Sequence, residues 1–379
     1  MRGRNDPQNA FWCRIDLEGM VPEDHPLREI KRRADAALAG MSADFDRVYS
    51  RRGRPGVPPE RLLKAILLQQ LHSVRSERAL CERIRFDLLF RWFLDMAPDE
   101  DAFDPTTFTH NRARLERGGL CGVFLERVVA QARADGLVSD DHFSVDGTLV
   151  VSRASVSSLE RIDGDGDGDG GDDDGSGGGG APRGLRKGER ISNATHRSAT
   201  DPAARIARHT RAGSARLSHS AHVLMENRNG LAVAVAVAEA NGTAERECAL
   251  ELVRVARERH GVRVRTLGAD KGYDSGEFIV ALADAGVEAH VPLRRLASSP
   301  REVTREWLLR AAMHARREDP GPRESQRRRK RIEPIFGWKK QVGLLGRSRH
   351  FERWKHRQQV EIGAAAYNLV RMSRMRLAA

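Results

Sequence analysis

HFSVDGTLV, residues 142 to 150, is the point at which the chain changes its period. Phe143, Val145 and Leu149 alternate with Ser144, Asp146 and Thr148, the pattern of a strand with one face in a core. Upstream, residues 1 to 136 read as helical. In PPERLLKAILLQQLHSV, Pro58 and Pro59 open a segment with Leu62, Leu63, Ile66, Leu67, Gln70 and Leu71 at helical spacing. SERALCERIRFDLLFRWFL begins with Ser76 as an N-cap, and in DPTTFTHNRARLERGGL Thr106 or Thr107 is expected to cap a helix carrying Asn111, Arg112 and Arg114. Short successive helices with basic faces suit a helix-turn-helix DNA reader, with a plain helical bundle as the alternative.

Downstream of residue 142 the elements alternate. SHSAHVLMENRNG and LAVAVAVAEA are two strands joined by Asn229-Gly230, a hairpin signal. TAERECALELVRVARERHG is a helix closed by Gly261, followed by strand VRVRTLGAD, helix SGEFIVALADAG and strand VEAHVPL. The order predicts a mixed α/β sheet over 137 to 379. Between the first strand and the hairpin lies DGDGDGDGGDDDGSGGGG, residues 163 to 180. It contains an EF-hand-like string, yet no apolar residue and no flanking helix. A disordered loop over about 160 to 190 is therefore expected in place of a calcium site.

Charge narrows the function. The formal net charge is +12, and residues 321 to 379 carry 16 Lys and Arg against 4 Glu, which equals the whole excess. Such asymmetry points to a polyanion, most often nucleic acid, since Lys and Arg displace counterions from phosphates. Cys13, Cys81, Cys121 and Cys248 form no CxxC pair, so neither a zinc ribbon nor a disulfide framework is expected. No apolar run approaches the roughly 18 residues of a membrane span, and the N-terminus lacks an apolar signal core, so a cytoplasmic protein is expected.

Three carboxylates stand out within this basic chain. Asp146 lies in mid-strand, where an acid is costly unless paired or bound to a cation. Asp270, in GADKGYDSGEF, ends a strand, where α/β folds gather ligand groups. Glu333 interrupts RRRKRIEPIFGWKKQVG, residues 327 to 343. On a continuous helix Arg329, Glu333 and Lys340 would share a face. Singly, each acid could be an ion pair or a cap. Jointly they suggest a metal site for phosphodiester chemistry.

The sequence resembles the bacterial insertion-sequence DDE transposases, specifically the insertion sequence five family. SRRGRPGVPPERLLKAILLQQLHSVRSERALCERIRFDLLFRWFLDM and DPTTFTHNRARL are similar to its N-terminal domain. HFSVDGT, HVLMENRNGL, LGADKGYD and AAAYNLVRM are similar to its catalytic blocks. The resemblance implies an RNase H-like catalytic domain over 137 to 379, preceded by an all-α DNA-binding domain over 1 to 136. It makes Asp146, Asp270 and Glu333 the catalytic, metal-binding triad for two Mg2+ ions, with Mn2+ able to substitute. It implies binding of the element's terminal inverted repeats and of target double-stranded DNA, as a homodimer, with cleavage and 3′-end transfer. DNA contacts are expected from Arg112, Arg114, Arg327, Arg328, Arg329, Lys330, Arg331, Lys339 and Lys340. Of the family signature around the glutamate, Arg329, Glu333 and Lys340 match, while Gln326 stands in the tyrosine position. Pro334 disfavours the α conformation at Glu333, so a helix is expected to start or kink there. A non-catalytic, decayed descendant that only binds DNA is the alternative.

Overall fold

The computed structural model describes residues 16–50, 52, 56–162, 191–208, 214–294, 302–343, 345 and 348–377. The whole Asp/Gly tract, residues 163 to 180, and Cys13 lie outside these residues. The N-terminal part is helical: α1 (Leu17–Met20), α2 (Pro26–Ala39), α3 (Ser42–Val48), α4 (Pro59–Leu71), α5 (Glu77–Phe86), α6 (Leu88–Phe93), α7 (Pro105–Arg117) and α8 (Leu120–Ala134). Local chemistry sets several starts. Pro59 occupies the first turn of α4, where its missing N–H costs nothing. Ser76 caps α5 by accepting from Ala79 N at 3.1 Å. The segment expected as one helix from Ser76 to Leu94 breaks at Asp87, whose carboxylate caps α6 through Leu89 N and Phe90 N. Asp104, and neither Thr106 nor Thr107, caps α7: its Oδ1 accepts from both threonine amides, at 2.8 and 3.1 Å. A charged acceptor one residue before a proline at N1 outcompetes hydroxyls already inside the first turn.

The remainder comprises β1 (His142–Val151), β2 (Leu159–Arg161), β3 (His196–Ser198), β4 (Arg205–Ala207), β5 (Arg216–Glu226), β6 (Leu231–Glu239), α9 (Ala244–His260), β7 (Thr266–Gly268), α10 (Gly276–Asp284), β8 (Glu288–His290), α11 (Arg305–Ala315), α12 (Pro320–Arg329), α13 (Glu333–Gln341) and α14 (Arg353–Leu377). The main sheet runs β4-β5-β1-β7-β8, with β6 beside β4 on the far edge of β5. β5 and β6 form the expected hairpin, with Gly230 in the left-handed region at φ 67°. β1 is antiparallel to β5 and parallel to β7, and β7 is parallel to β8. This is the mixed sheet of an RNase H-like domain behind a helical N-terminal part.

The alternation of β1 shifts at Gly147. Val150 is fully buried and Leu149 only partly so, while Ser144 is buried as deeply as Phe143 and Val145. Gly147 is required by a close approach: a Cβ there would lie 2.7 Å from Nδ1 of His222, its cross-strand partner on β5.

The core runs through both parts. α14 packs against α8, α2, α4 and β6, and its Val360, Ile362, Ala364, Ala365, Ala366, Leu369 and Met372 are at most 1% exposed. The run Gly363-Ala364-Ala365-Ala366 keeps the helix narrow there, so its neighbours approach closely; a large side chain would overpack the junction, at about 1–3 kcal/mol.

Candidate active site

Strand register brings the first two acids together. Ser144 pairs with Gly268 across the parallel β1–β7 ladder. Asp146 stands two residues further along β1, and Asp270 two residues after Gly268, just past the end of β7. The two carboxylates are close enough for Asp270 to raise the Asp146 carboxyl. β7 ends at Gly268, and Asp270 caps the short turn Lys271–Tyr273 by accepting from Gly272 N at 2.7 Å.

Glu333 arrives from the other side. α12 packs on β7, β1 and β8, and a 3-10 turn over Lys330–Ile332 separates it from α13, where Glu333 is the first residue and Pro334 the second. The helix restarts, as the proline requires, with Pro334 in the first turn where a missing N–H is harmless. Glu333 nevertheless keeps helical angles, φ −58° and ψ −42°. Glu333 thus adopts the helical conformation that a following proline disfavours. Arg329, Glu333 and Lys340 do not lie on one continuous α-helix.

Electrostatics show the convergence. Burial raises the Asp146 carboxyl above its usual range, its bond from Gly147 N opposes this, Asp270 and Glu333 raise it further, and Arg329 lowers it. Glu333 itself is exposed, so the desolvation falls on Asp146; an all-carboxylate donor set is of the kind that suits a hard divalent ion. Two neighbours escaped the sequence reading. Glu245, in the first turn of α9, is raised by burial and then by Asp270 and Asp146. Tyr273 is 1% exposed, its hydroxyl has no partner, and burial and the same acids push it up. Glu245 reads in sequence only as an acid complementing a helix dipole; Tyr273, inside GADKGYD, was the more legible of the two.

The basic residues divide. Arg327 and Arg328 both donate to Glu324. Arg329 lies close enough to influence Asp146, with its Nε buried and unpartnered. Lys330 is exposed, and Arg331 donates to the carbonyls of Asn227 and Arg228 at 2.7 and 2.8 Å, pinning the hairpin turn. Lys340 is partly buried, which lowers its amine. Lys339 is 1% exposed, its Nζ has no partner, and burial pushes its amine down to about 7. It is a core residue and cannot reach a phosphate as placed.

Arg112 is likewise no groove reader. It is 6% exposed and donates to Glu116 at 2.8 Å, Gln69 at 3.0 Å and Glu77 at 3.2 Å, tying α7 to α4 and α5. Arg114, one helical step round, is exposed over the Tyr49 ring at 5.1 Å. Gln326 donates to the carbonyls of Ala269 and His290, fastening α12 to the strand ends that carry Asp270. Asp274 does not cap α10. Its Oδ2 accepts from Arg294 N at 2.6 Å, and it pairs with Arg310 of α11 at 3.1 Å. A cleft of about 740 Å³ adjoins Gln326 between α10, α11 and α12, but none of the three acids lines it.

Among the described residues no helix is long and apolar enough to cross a membrane. Residues 15–114 match the transposase domain (DUF772), and residues 191–369 match the transposase DDE domain. Asp270 and Glu333 fall inside the second match, and Asp146 falls between the two. No curated protein matches the chain. Among solved structures, the Mos1 transposase paired-end complex with left transposon end shares 12% identity, covering 89% of this chain and 85% of that one at a TM-score of 0.21. A pre-cleavage Mos1 transpososome has the same identity and coverage at 0.20. Superpositions this loose add nothing to the fold. The two domain matches cover most of the chain in the expected order, on a mixed sheet that presents converging acids: the chain belongs to the DDE transposases.

Proposed function

We propose that this DNA transposase, of the insertion sequence five type, uses Asp146, Asp270 and Glu333 to hold two Mg2+ ions, with Mn2+ able to replace them. The observation that supports the reading is that Asp270, after β7, and Glu333, at the start of α13, both lie near enough to Asp146 of β1 to raise its carboxyl. Bound there, the ions supply an activated water or 3′-hydroxyl and stabilise the leaving oxygen of an in-line displacement at phosphorus. The chain's part is to place the carboxylates, with Gln326 and the Gly272 amide holding the Asp270 strand end and Arg329 offsetting carboxylate repulsion. Lys330, Lys340 and the Arg327–Arg329 run lie on the elements flanking Glu333, where they would meet the DNA backbone. Residues 1 to 136 serve as the DNA-binding part and 137 to 379 as the catalytic part. Arg114 is the candidate base reader. The protein acts as a homodimer on the element's inverted repeats, in the cytoplasm at the nucleoid.

The test is metal-dependent nicking and strand transfer on a duplex bearing the element end. Asp146→Asn, Asp270→Asn and Glu333→Gln should each abolish both reactions and leave end binding intact, because each removes one charge the metal pair needs. Full activity in any one of the three removes that residue from the site.

A further inference from the structure

Among the described residues one group of potential ligands is drawn close enough to share an ion, and it is not the three acids: Asp201, His219 and His356 each offer one atom within 4.8 Å of the others. They come from distant parts of the chain: the turn after β3, strand β5, and the first turn of α14. All three are fully buried.

Their hydrogen bonding is incomplete in a particular way. Asp201 Oδ2 is used twice, accepting from Ser152 Oγ at 2.6 Å and meeting His219 Nε2 at 2.9 Å. Its Oδ1 has no partner, nor has His219 Nδ1, nor has either ring nitrogen of His356. The two imidazoles face each other at 4.6 Å between centroids. A buried polar atom left unpaired costs about 1–3 kcal/mol, and four such atoms in one place call for an occupant.

We propose that Asp201, His219 and His356 form a transition-metal site, suited to Zn2+, that fastens α14 to β5 and to the segment between β3 and β4. Two imidazoles and one carboxylate are borderline donors of the kind zinc takes, and a poor match for magnesium, which asks for six oxygens. His219 would reach the ion through Nε2, the nitrogen already 2.9 Å from Asp201 Oδ2, so the hydrogen bond between them gives way to two bonds to the metal. At bonds of about 2.1 Å, tetrahedral ligands stand roughly 3.4 Å apart, so Asp201 and His219, now 2.9 Å apart, would separate slightly around the ion. The site is separate from the nucleolytic acids and takes a different class of ion.

Zinc content of the purified full-length protein, after dialysis against metal-free buffer and one equivalent of added Zn2+, tests this. One zinc per chain should be retained by the wild type and by Asp270→Asn, and lost from His219→Gln and His356→Gln. Excess Mg2+ should not displace it. Zinc should also raise the unfolding temperature of the wild type and leave that of His356→Gln unchanged. A wild type that retains no zinc, or zinc retained equally by both histidine variants, overturns the proposal and leaves a water-filled polar cluster. Should the histidine variants fail to fold, Co2+ added to the wild type decides. The visible bands of a low-coordinate cobalt–imidazole site, bleached by zinc, support the assignment; their absence refutes it.

Discussion

Lys339→Met separates a DNA-binding cation from a core residue. Lys339 sits in the last turn of α13 with its stem toward α14: a Cβ on Gly363 would meet its Cε at 3.9 Å and Gln70 Oε1 at 3.8 Å. Neither its Nζ nor either amide atom of Gln70 has a partner. Burial moves the amine from 10.5 to about 7. The unfolded chain holds its proton up to about pH 10.5, and the folded chain releases it above about 7. Stability therefore rises with pH across that window, and the penalty is at its full value below pH 7. Three and a half units correspond to about 5 kcal/mol at most, and Met fills a similar volume without the charge. Urea denaturation at pH 7 should show the variant more stable by a few kcal/mol, with the gap closing as pH approaches 10. In DNA titrations against salt, the slope should match the wild type, whereas Lys330→Ala should lower it by about one. A variant less stable than wild type, a gap independent of pH, or a slope reduced by one would refute this account.

Arg112→Ala should cost about 3–5 kcal/mol, because it leaves Glu116 buried and unpaired, and should not change base preference; a shift in preferred end sequence at unchanged stability would return Arg112 to the DNA interface. Asp274→Asn should lower stability by about 1–3 kcal/mol through the weakened Arg310 and Arg294 contacts, and still nick DNA once folded; loss of nicking alone would make it a ligand. Glu245→Gln removes a fourth negative charge beside Asp270 and Asp146, so the magnesium concentration giving half-maximal nicking should rise several-fold with the maximal rate held. An unchanged magnesium dependence would place Glu245 outside the metal's field.

Sequence by itself determined a good part of the elements and their order. The strand at Phe143 and Val145, the Asn229-Gly230 turn, Ser76 as a cap and Gly261 as a stop are local signals whose physics acts within a few residues, and each lies where it was read. The acids Asp146, Asp270 and Glu333 were legible because a carboxylate in mid-strand, at a strand end or among cations is anomalous in its own neighbourhood. Tertiary structure decided what each remaining polar side chain is for. Arg112 and Arg114 are two residues apart on one basic helix, yet one is buried against Glu116 and the other exposed. Lys339 and Lys340 are adjacent, and only the first lies against α14 beside Gln70. Asp201, His219 and His356 share no motif, and only the packing of α14 onto the sheet brings them within reach of one another. Propensity and periodicity are short-range properties of the chain. The desolvation and partnering that set a charged group's role depend on segments hundreds of residues away, and those are fixed only when the core closes.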